Sequence, residues 1–363
     1  MTLQCKQKIL VITIIVLMLS SCAAPTPLAQ ITPQPTVTSV SERSPNADIA
    51  NVYFSNPDSP TIDSFRGGPD DALAASIREA HFSIDAAIYH LNLWSIRNAL
   101  IAAHNAGVTV RVVAESDNMD EVEIQELRDT GITIIEDNRE SLMHNKFVVI
   151  DGYEVWTGSM NFTINGAYRN NNNLVQIRST RLAENFTSEF EEMYLQGMFG
   201  NQTIENTPYP SFAIEGSLIE TFFSPDDRVS SNIVALIQNA QESVFFMAFS
   251  FTSDEIAAAL LERAEAGVNV KGIFDESQYF FNIGTEFDNL RDNGLGVHLD
   301  GNPHNMHHKV IIIDEKIVIT GSYNFSRSAE ERNDENVLII HNAEVAKAYL
   351  GEFERVLAKA ISD

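Results

Sequence analysis

The chain has 363 residues and 44% hydrophobic residues, too apolar for a disordered acidic chain and long enough for one large or two ordinary domains. Its formal net charge is −26, from 24 Lys and Arg against 50 Asp and Glu, which disfavours a protein that grips nucleic-acid backbones. The cysteines, Cys5 and Cys22, are too few for a disulfide scaffold or a Cys-rich zinc site.

The N-terminal segment is predicted to be a targeting signal. Two lysines precede an apolar run at 9–19, which has the length of a signal peptide. Leu19-Ser20-Ser21-Cys22 resembles the cleavage box of bacterial lipoproteins, which implies that Cys22 is lipidated after cleavage of residues 1–22. An uncleaved signal anchor is the alternative. Residues 23–50 hold five prolines and predict a tether, part polyproline II and part coil. We therefore expect an extracytoplasmic protein that is lipid-anchored to the bacterial cell membrane.

The rest of the chain is an internal duplication. Residues 106–108 recur at 266–268, an offset of 160, and Met143-His144 recurs as Met306-His307, an offset of 163. The second copy therefore carries three extra residues between about 277 and 290. A period this long indicates two copies of a domain-sized unit. The predicted boundaries are 51–199 for the first half, 200–216 for a connector and 217–363 for the second half.

Each half is predicted to alternate strands and helices. The first half reads as strands 82–89, 108–114, 146–150, 154–157 and 174–177, helices 93–105 and 183–196, and a short helix ending at Gly131. The second half reads as strands 244–249, 268–274, 309–313, 317–320 and 336–340, with helices 254–265 and 343–360. This order predicts an α/β fold in which each half is a mixed, mostly buried sheet flanked by helices.

Two matching segments carry the candidate chemistry: HNKFVVIDGYEVWTGSMNFT (144–163) and HHKVIIIDEKIVITGSYNFS (307–326). Each has a His and a Lys two residues apart, on one face of a strand, and a Gly-Ser-x-Asn element on the partner strand. The glycine would let the backbone approach a ligand, and Ser and Asn are neutral hydrogen-bond donors. Such a set is suited to a phosphate group. The candidates are His144, Lys146, Ser159, Asn161, His307, Lys309, Ser322 and Asn324.

These segments resemble the HxKxxxxD signature of the phospholipase D superfamily, with its trailing GSxN element. The resemblance implies two halves packed about a pseudo-twofold axis, so that a monomer holds both motifs in one site. One histidine would attack phosphorus and form a phosphohistidine, and the other would protonate the leaving alcohol and then activate water or an acceptor alcohol. Lysines and asparagines would bind the phosphoryl oxygens, without a metal or cofactor. Asp151 and Asp314 complete the catalytic signature, although their position at hairpin turns favours a structural role.

The two halves differ beside the motifs. Glu335 follows the second motif, whereas its counterpart after the first is Asn172. The family often has Glu near a catalytic histidine, and a carboxylate favours the protonated imidazole. We therefore predict that Glu335 accompanies His307 as a cationic general acid and that His144 is the neutral nucleophile. The reverse remains open, because a carboxylate can also orient a nucleophilic histidine.

The substrate stays open among three classes. The first is a phospholipid, whose phosphatidyl group would be hydrolysed or transferred at a membrane surface. The second is nucleic acid, cleaved by an endonuclease of the same family and disfavoured by the negative charge. The third is a non-catalytic surface lipoprotein that binds phosphorylated ligands. The segment 279–281 (Tyr-Phe-Phe) is either an apolar lip for lipid or the buried face of a short helix. His308, on the strand face opposite His307, is expected to pack or to face solvent.

Overall fold

The computed structural model describes residues 49–60 and 62–362. The predicted signal peptide, the lipidation site Cys22 and nearly all of the tether lie outside the described residues. Within the described part, no helix is both long enough and apolar enough to cross a bilayer.

The first half forms one sheet. Its strands are β1 (Ala50–Phe54), β2 (Ser83–Ile88), β3 (Thr109–Ala114), β4 (Thr133–Glu136), β5 (Lys146–Ile150), β6 (Glu154–Gly158) and β7 (Asn173–Arg178). The strand order is β1-β7-β6-β5-β2-β3-β4. β2, β3 and β4 are parallel, whereas β5, β6, β7 and β1 pair antiparallel. The sheet is therefore mixed, as predicted.

The second half repeats this sheet with one added edge strand. Its strands are β8 (Ser211–Ile214), β9 (Ser217–Ser224), β10 (Ser243–Ala248), β11 (Asn269–Phe274), β12 (Gly296–Leu299), β13 (Lys309–Ile313), β14 (Ile317–Gly321) and β15 (Glu335–His341). The order is β12-β11-β10-β13-β14-β15-β9-β8. β8 lies inside the segment 200–216 that the sequence predicted as a connector, because it pairs antiparallel with β9 and extends the sheet.

Helices cover both sheets and fill the space between them. They are α1 (Pro69–Arg78), α2 (Trp94–Asn105), α3 (Val122–Asp129), α4 (Thr180–Glu191), α5 (Val229–Gln238), α6 (Asp254–Glu265), α7 (Glu276–Phe281), α8 (Phe287–Asp292), α9 (Arg327–Glu331) and α10 (Ala343–Ser362). Buried residues of α1, α2 and α3 form an outer core on the first sheet, and those of α5, α6 and α8 form its counterpart on the second. α4 and α10 contribute to a central core that both sheets share.

Alternation along the strands explains this layering. In β5, Phe147 and Val149 enter the central core, while Val148 and Ile150 enter the outer core of the first half. β13 follows the same pattern, with Val310 and Ile312 on the central side. Both strands are apolar on two faces, as expected for a sheet buried on both sides. The halves are therefore joined by one continuous core, and the predicted α/β class is confirmed.

Candidate active site

The two motifs meet where the halves exchange backbone hydrogen bonds. The His144 N–H donates to the Asp334 carbonyl at 3.0 Å, and the His307 N–H donates to the Asn171 carbonyl at 2.9 Å. Each histidine therefore lies against the segment that follows the motif of the other half. His144, Lys146, His307 and Lys309 are all buried, and the two histidines and two lysines are close enough to affect each other's charge.

The histidine partners are crossed between the halves. His144 Nδ1 lies 2.7 Å from Glu335 Oε2, and His307 Nδ1 lies 2.9 Å from Asn172 Oδ1 and 3.1 Å from the Ser159 carbonyl. The prediction that Glu335 accompanies His307 is therefore wrong, because the pseudo-twofold arrangement brings Glu335 across to His144. With acceptors at both Nδ1 atoms, each neutral ring carries its hydrogen there and keeps the lone pair on Nε2.

An aromatic ring lies against each His–Lys pair, and sequence reasoning missed both rings. The Tyr89 ring lies 4.6 Å from the His144 ring and 4.7 Å from Lys146 Nζ. Phe249 lies 4.5 Å from the His307 ring and 4.7 Å from Lys309 Nζ. The repeat offset of 160 aligns Tyr89 with Phe249, and each directly follows one of two equivalent strands. The two aromatic positions could therefore have been found by aligning the two halves. The rings help to dehydrate the site and stabilise the ammonium groups by cation–π contact.

Each lysine is oriented by its own motif. Lys146 Nζ donates to the His144 carbonyl, and Lys309 Nζ donates to the His307 carbonyl at 2.9 Å. Burial lowers the pKa of Lys146 to about 7, against the opposing effect of Glu335. Burial and the neighbouring Lys146 charge also hold the pKa of Lys309 well below its usual value. Both lysines are buried and both have a lowered pKa. A bound anion would therefore favour their protonated, charged forms.

Burial also sets the charge of the histidines and of Glu335. It lowers the pKa of His144 well below its ordinary value, and the charges of Lys146 and Lys309 add to this effect. The pKa of His307 is lowered by burial and by the same two lysines. Burial raises the pKa of Glu335 to about 7, against the opposing charges of the lysines. Around pH 8 the site therefore holds two neutral imidazoles beside one carboxylate.

The serines and asparagines of the two Gly-Ser-x-Asn elements have different surroundings. The Ser159 hydroxyl donates to Asn172 Oδ1 at 2.9 Å, and Ser322 Oγ accepts from the Asn336 N–H at 3.0 Å. Both serines are fully buried. Ser159 therefore holds Asn172, the partner of His307, and Ser322 holds the backbone directly after Glu335. That either serine contacts a phosphate stays a prediction. Asn161 and Asn324 make no side-chain hydrogen bond with the described residues, and their Oδ1 atoms are buried without a partner. Their Nδ2 groups are therefore available as donors to a phosphoryl oxygen.

Gly158 and Gly321 are required by the backbone rather than by a ligand. Their φ angles are +152° and +144°, which favour glycine. A Cβ at either position would overlap the carbonyl oxygen of Asn173 or Asn336 on the neighbouring strand. The expectation that these glycines admit a ligand is corrected, because the neighbouring strand occupies that space.

Asp151 and Asp314 lie away from the histidines. Each is five residues past its motif lysine, at the far end of the strand, a distance of about 16 Å. The Asp151 carboxylate accepts from the N–H groups of residues 81–83, and the Asp314 carboxylate accepts from those of 241–243. Although burial opposes it, these bonds lower the pKa of both carboxyls. The geometry supports the structural role and removes both residues from the catalytic set.

Two acidic residues that the sequence analysis passed over position the motifs. Glu115 Oε2 accepts from the Met143 N–H at 2.7 Å, and Asp275 Oδ2 accepts from the Met306 N–H at 2.8 Å. Both carboxylates are buried, and each holds the backbone immediately before a motif histidine. The offset of 160 aligns the two residues, which directly follow β3 and β11. An alignment of the two halves could therefore have found this pair as well.

The loops around the two histidines are clamped by different chemistry. Arg139 forms an ion pair with Asp334, next to Glu335, and its Nη2 donates to the Leu142 carbonyl at 3.0 Å. At the equivalent place near His307, the Asn302 amide donates to Asn171 Oδ1 at 2.7 Å. The His144 side is therefore held by an ion pair and the His307 side by amides.

Two remaining expectations are also resolved. His308 packs in the interior, where its Nε2 lies 2.9 Å from Glu352 Oε1. The segment 279–281 does form part of helix α7, but only Tyr279 packs, against Phe287 at 5.0 Å between ring centroids. Phe280 and Phe281 are exposed. The interpretation of this segment as the buried face of a helix is therefore wrong for two of its three aromatic residues.

Comparison with known proteins agrees with this geometry. A family model described as "Cardiolipin synthase, PLD-like domain" matches residues 73–194 and 233–357. Phospholipase D of Rickettsia bellii is 36% identical over 156 residues, which cover 40% of this chain and 76% of that protein. Mitochondrial cardiolipin hydrolase of Xenopus tropicalis is 35% identical over 130 residues, covering 36% of this chain and 61% of that protein.

Among solved structures, phosphatidylserine synthase of Haemophilus influenzae matches with a TM-score of 0.63 and 13% identity, covering 87% of each chain. This likeness concerns the fold and extends over both halves. Since the family model matches most of the chain in two separate copies, the chain belongs to the phospholipase D superfamily and is a phosphodiester hydrolase.

Proposed function

We propose that this protein hydrolyses or transfers the phosphatidyl group of a phospholipid, through a phosphohistidine on His144 and without a metal ion. The observation that carries the proposal is the 2.7 Å contact between His144 Nδ1 and Glu335 in a buried site with two lysines. The carboxylate fixes the tautomer that leaves the Nε2 lone pair free. It also offsets the positive charge that the ring acquires as Nε2 bonds to phosphorus.

The chemical steps follow from this arrangement. Binding of the negative phosphodiester favours the protonated form of His307. His144 Nε2 then attacks phosphorus, the bond from phosphorus to the headgroup oxygen breaks, and the His307 imidazolium gives its Nε2 proton to the leaving alcohol. Lys146, Lys309 and the amides of Asn161 and Asn324 bind the phosphoryl oxygens and supply the charge that a divalent ion would otherwise supply. Water or an acceptor alcohol then gives a proton to His307 and attacks phosphorus, which releases His144.

The choice of phospholipid over nucleic acid rests on charge and on the relatives. The chain carries a net charge of −26, which opposes the several phosphate contacts that a nuclease needs. The curated relatives include proteins named phospholipase D and cardiolipin hydrolase. Lipid anchoring through Cys22, which remains a proposal, would hold the site at a membrane surface.

The test uses the full chain in EDTA, offered mixed phospholipid vesicles and plasmid DNA in parallel, with His144→Asn as the inactive control. Free headgroup with intact DNA is expected. Nicked DNA with intact lipid would overturn the substrate, and activity abolished by EDTA would overturn the metal-free mechanism. With an activated leaving group, His307→Asn is expected to accumulate a phosphoenzyme and His144→Asn is not. Phosphate trapped on His307 would reverse the assignment.

A further inference from the structure

We infer that the exposed segment Phe280–Gly284 is a membrane-docking tip, which inserts between the lipids of a bilayer beside the active site. This inference rests on the proposed lipid substrate. Phe280, Phe281 and Ile283 are 69%, 81% and 99% exposed, and no residue between 280 and 284 carries a charge. Three large apolar side chains exposed within four residues lower the solubility of a protein. Such a cluster indicates an interaction site rather than an ordinary solvent-facing surface.

The tip is held next to His307 at two points. Its helix begins after Asp275, whose carboxylate holds the backbone immediately before His307 through Met306. In the middle of the tip, the Asn282 side chain donates to Ser250 Oγ at 2.8 Å. Ser250 directly follows Phe249, the ring that lies against His307. Insertion of the tip would therefore bring the lipid headgroup layer to the candidate site.

The fold itself does not require an apolar segment here. The equivalent segment of the first half, 116–126, is three residues shorter than 276–289. It exposes Asp117 and Asp120, with Val122 as its single exposed large apolar residue. Both segments connect equivalent strands, so the added length and the apolar residues distinguish the second half for a reason other than folding.

Charge identifies the kind of membrane surface that fits. Glu276 on the tip helix is exposed, as are Asp117 and Asp120 of the other half, within a strongly acidic chain. Attraction to anionic headgroups is therefore not available, and insertion of apolar side chains must supply the binding free energy. We expect the tip to prefer zwitterionic phospholipid, to tolerate high salt, and to bind less well as anionic lipid is added.

The experiment compares the full chain with Phe280→Ser/Phe281→Ser/Ile283→Ser and with Ile283→Ser alone. Each enzyme is given phosphatidylcholine in two forms: short-chain monomers below the micelle concentration and long-chain vesicles. The triple variant should lose about tenfold or more in kcat/KM on vesicles, Ile283→Ser should lose less, and neither should change on monomers. Phe82→Ser is the matched control. Phe82 is 75% exposed and directly precedes β2, at the end of the strand opposite to the candidate site.

The remaining outcomes separate failure of this inference from failure of the proposed function. Equal losses on monomers and vesicles, or no loss on either, would overturn the docking tip. A change from dimer to monomer in the triple variant, measured by light scattering, would assign the tip to self-association instead. If the wild type cleaves neither form of lipid, the proposed function fails, and co-sedimentation with zwitterionic vesicles then tests the tip alone. Equal co-sedimentation of wild type and triple variant would overturn it.

Discussion

Replacing Glu335 with Gln should slow phosphohistidine formation on His144 by a factor of about 100 to 1000. The Glu335 carboxylate lies 2.7 Å from His144 Nδ1. For charges spread over a ring and a carboxylate, an effective separation of about 4 Å and a dielectric constant of about 20 give about 4 kcal/mol. That energy corresponds to roughly a thousandfold in rate. Gln retains a neutral acceptor, which reduces the loss.

The assay is the burst of nitrophenolate from a phosphatidyl nitrophenol at pH 8, where the leaving group needs no proton from His307. Asn172→Ala is the matched control, because it removes the neutral acceptor from the other histidine. A neutral hydrogen bond contributes about 1 kcal/mol, so this variant should lose less than about tenfold.

The pH dependence provides an independent check of the same reasoning. Burial raises the pKa of Glu335 to about 7, so the carboxylate is present above that pH and is neutralised as the pH falls below it. The advantage of wild type over Glu335→Gln should therefore shrink between pH 8 and pH 6. A burst rate of Glu335→Gln within threefold of wild type at pH 8, or a larger loss in Asn172→Ala, would refute the assignment of His144.

Three further outcomes are expected. Binding of dimethyl phosphate at pH 8 should take up about one proton or more, seen as a buffer-dependent calorimetric enthalpy. Burial lowers the pKa of Lys146 to about 7 and holds the pKa of Lys309 well below its usual value, so a bound anion restores protons to both amines. Unchanged uptake in Lys309→Met would contradict this. Gly321→Ala should lower the free energy of unfolding in urea by about 2 kcal/mol or more, because its Cβ would overlap the Asn336 carbonyl. Glu189→Gln should raise it by about 1 kcal/mol or more at pH 8 but little at pH 4.5, because burial raises the pKa of Glu189 well above 4.5 and ionisation then opposes folding; an equal gain at both pH values would contradict this.

The elements that carry the motifs could be predicted because their sequences are local and strongly patterned. The strands 146–150 and 309–313 were predicted with the bounds that the structure has, and so was helix α6. Each is apolar with the correct period and ends at a turn or cap residue. β1 was missed, because its pairing with β7 is made with a segment more than 100 residues away, and β8 was missed because it is short and lies next to prolines.

The partners of the histidines could not be predicted from the repeat alone. The offset of 163 establishes that Glu335 and Asn172 are equivalent positions. It does not state which half each position faces, since that depends on how the two sheets pack through α4 and α10. Proximity in the sequence suggested His307 as the partner of Glu335. In the structure, packing of the two halves about the central core places His144 there instead. The nucleophile proposed from the sequence is retained, but for the opposite reason.

The duplication places both histidines at equivalent backbone positions. Any difference in their chemical roles must therefore come from the side chains that surround them. On the side of His144, Arg139 and the pair Asp334–Glu335 concentrate ionisable groups. On the other side, Asn302 and the pair Asn171–Asn172 place amides at the equivalent positions. An amide cannot compensate a charge that develops on a ring, whereas a carboxylate can. In the proposed mechanism, this difference prepares the His144 ring for the positive charge of a phosphohistidine and leaves the His307 ring to exchange a proton with the leaving or entering oxygen.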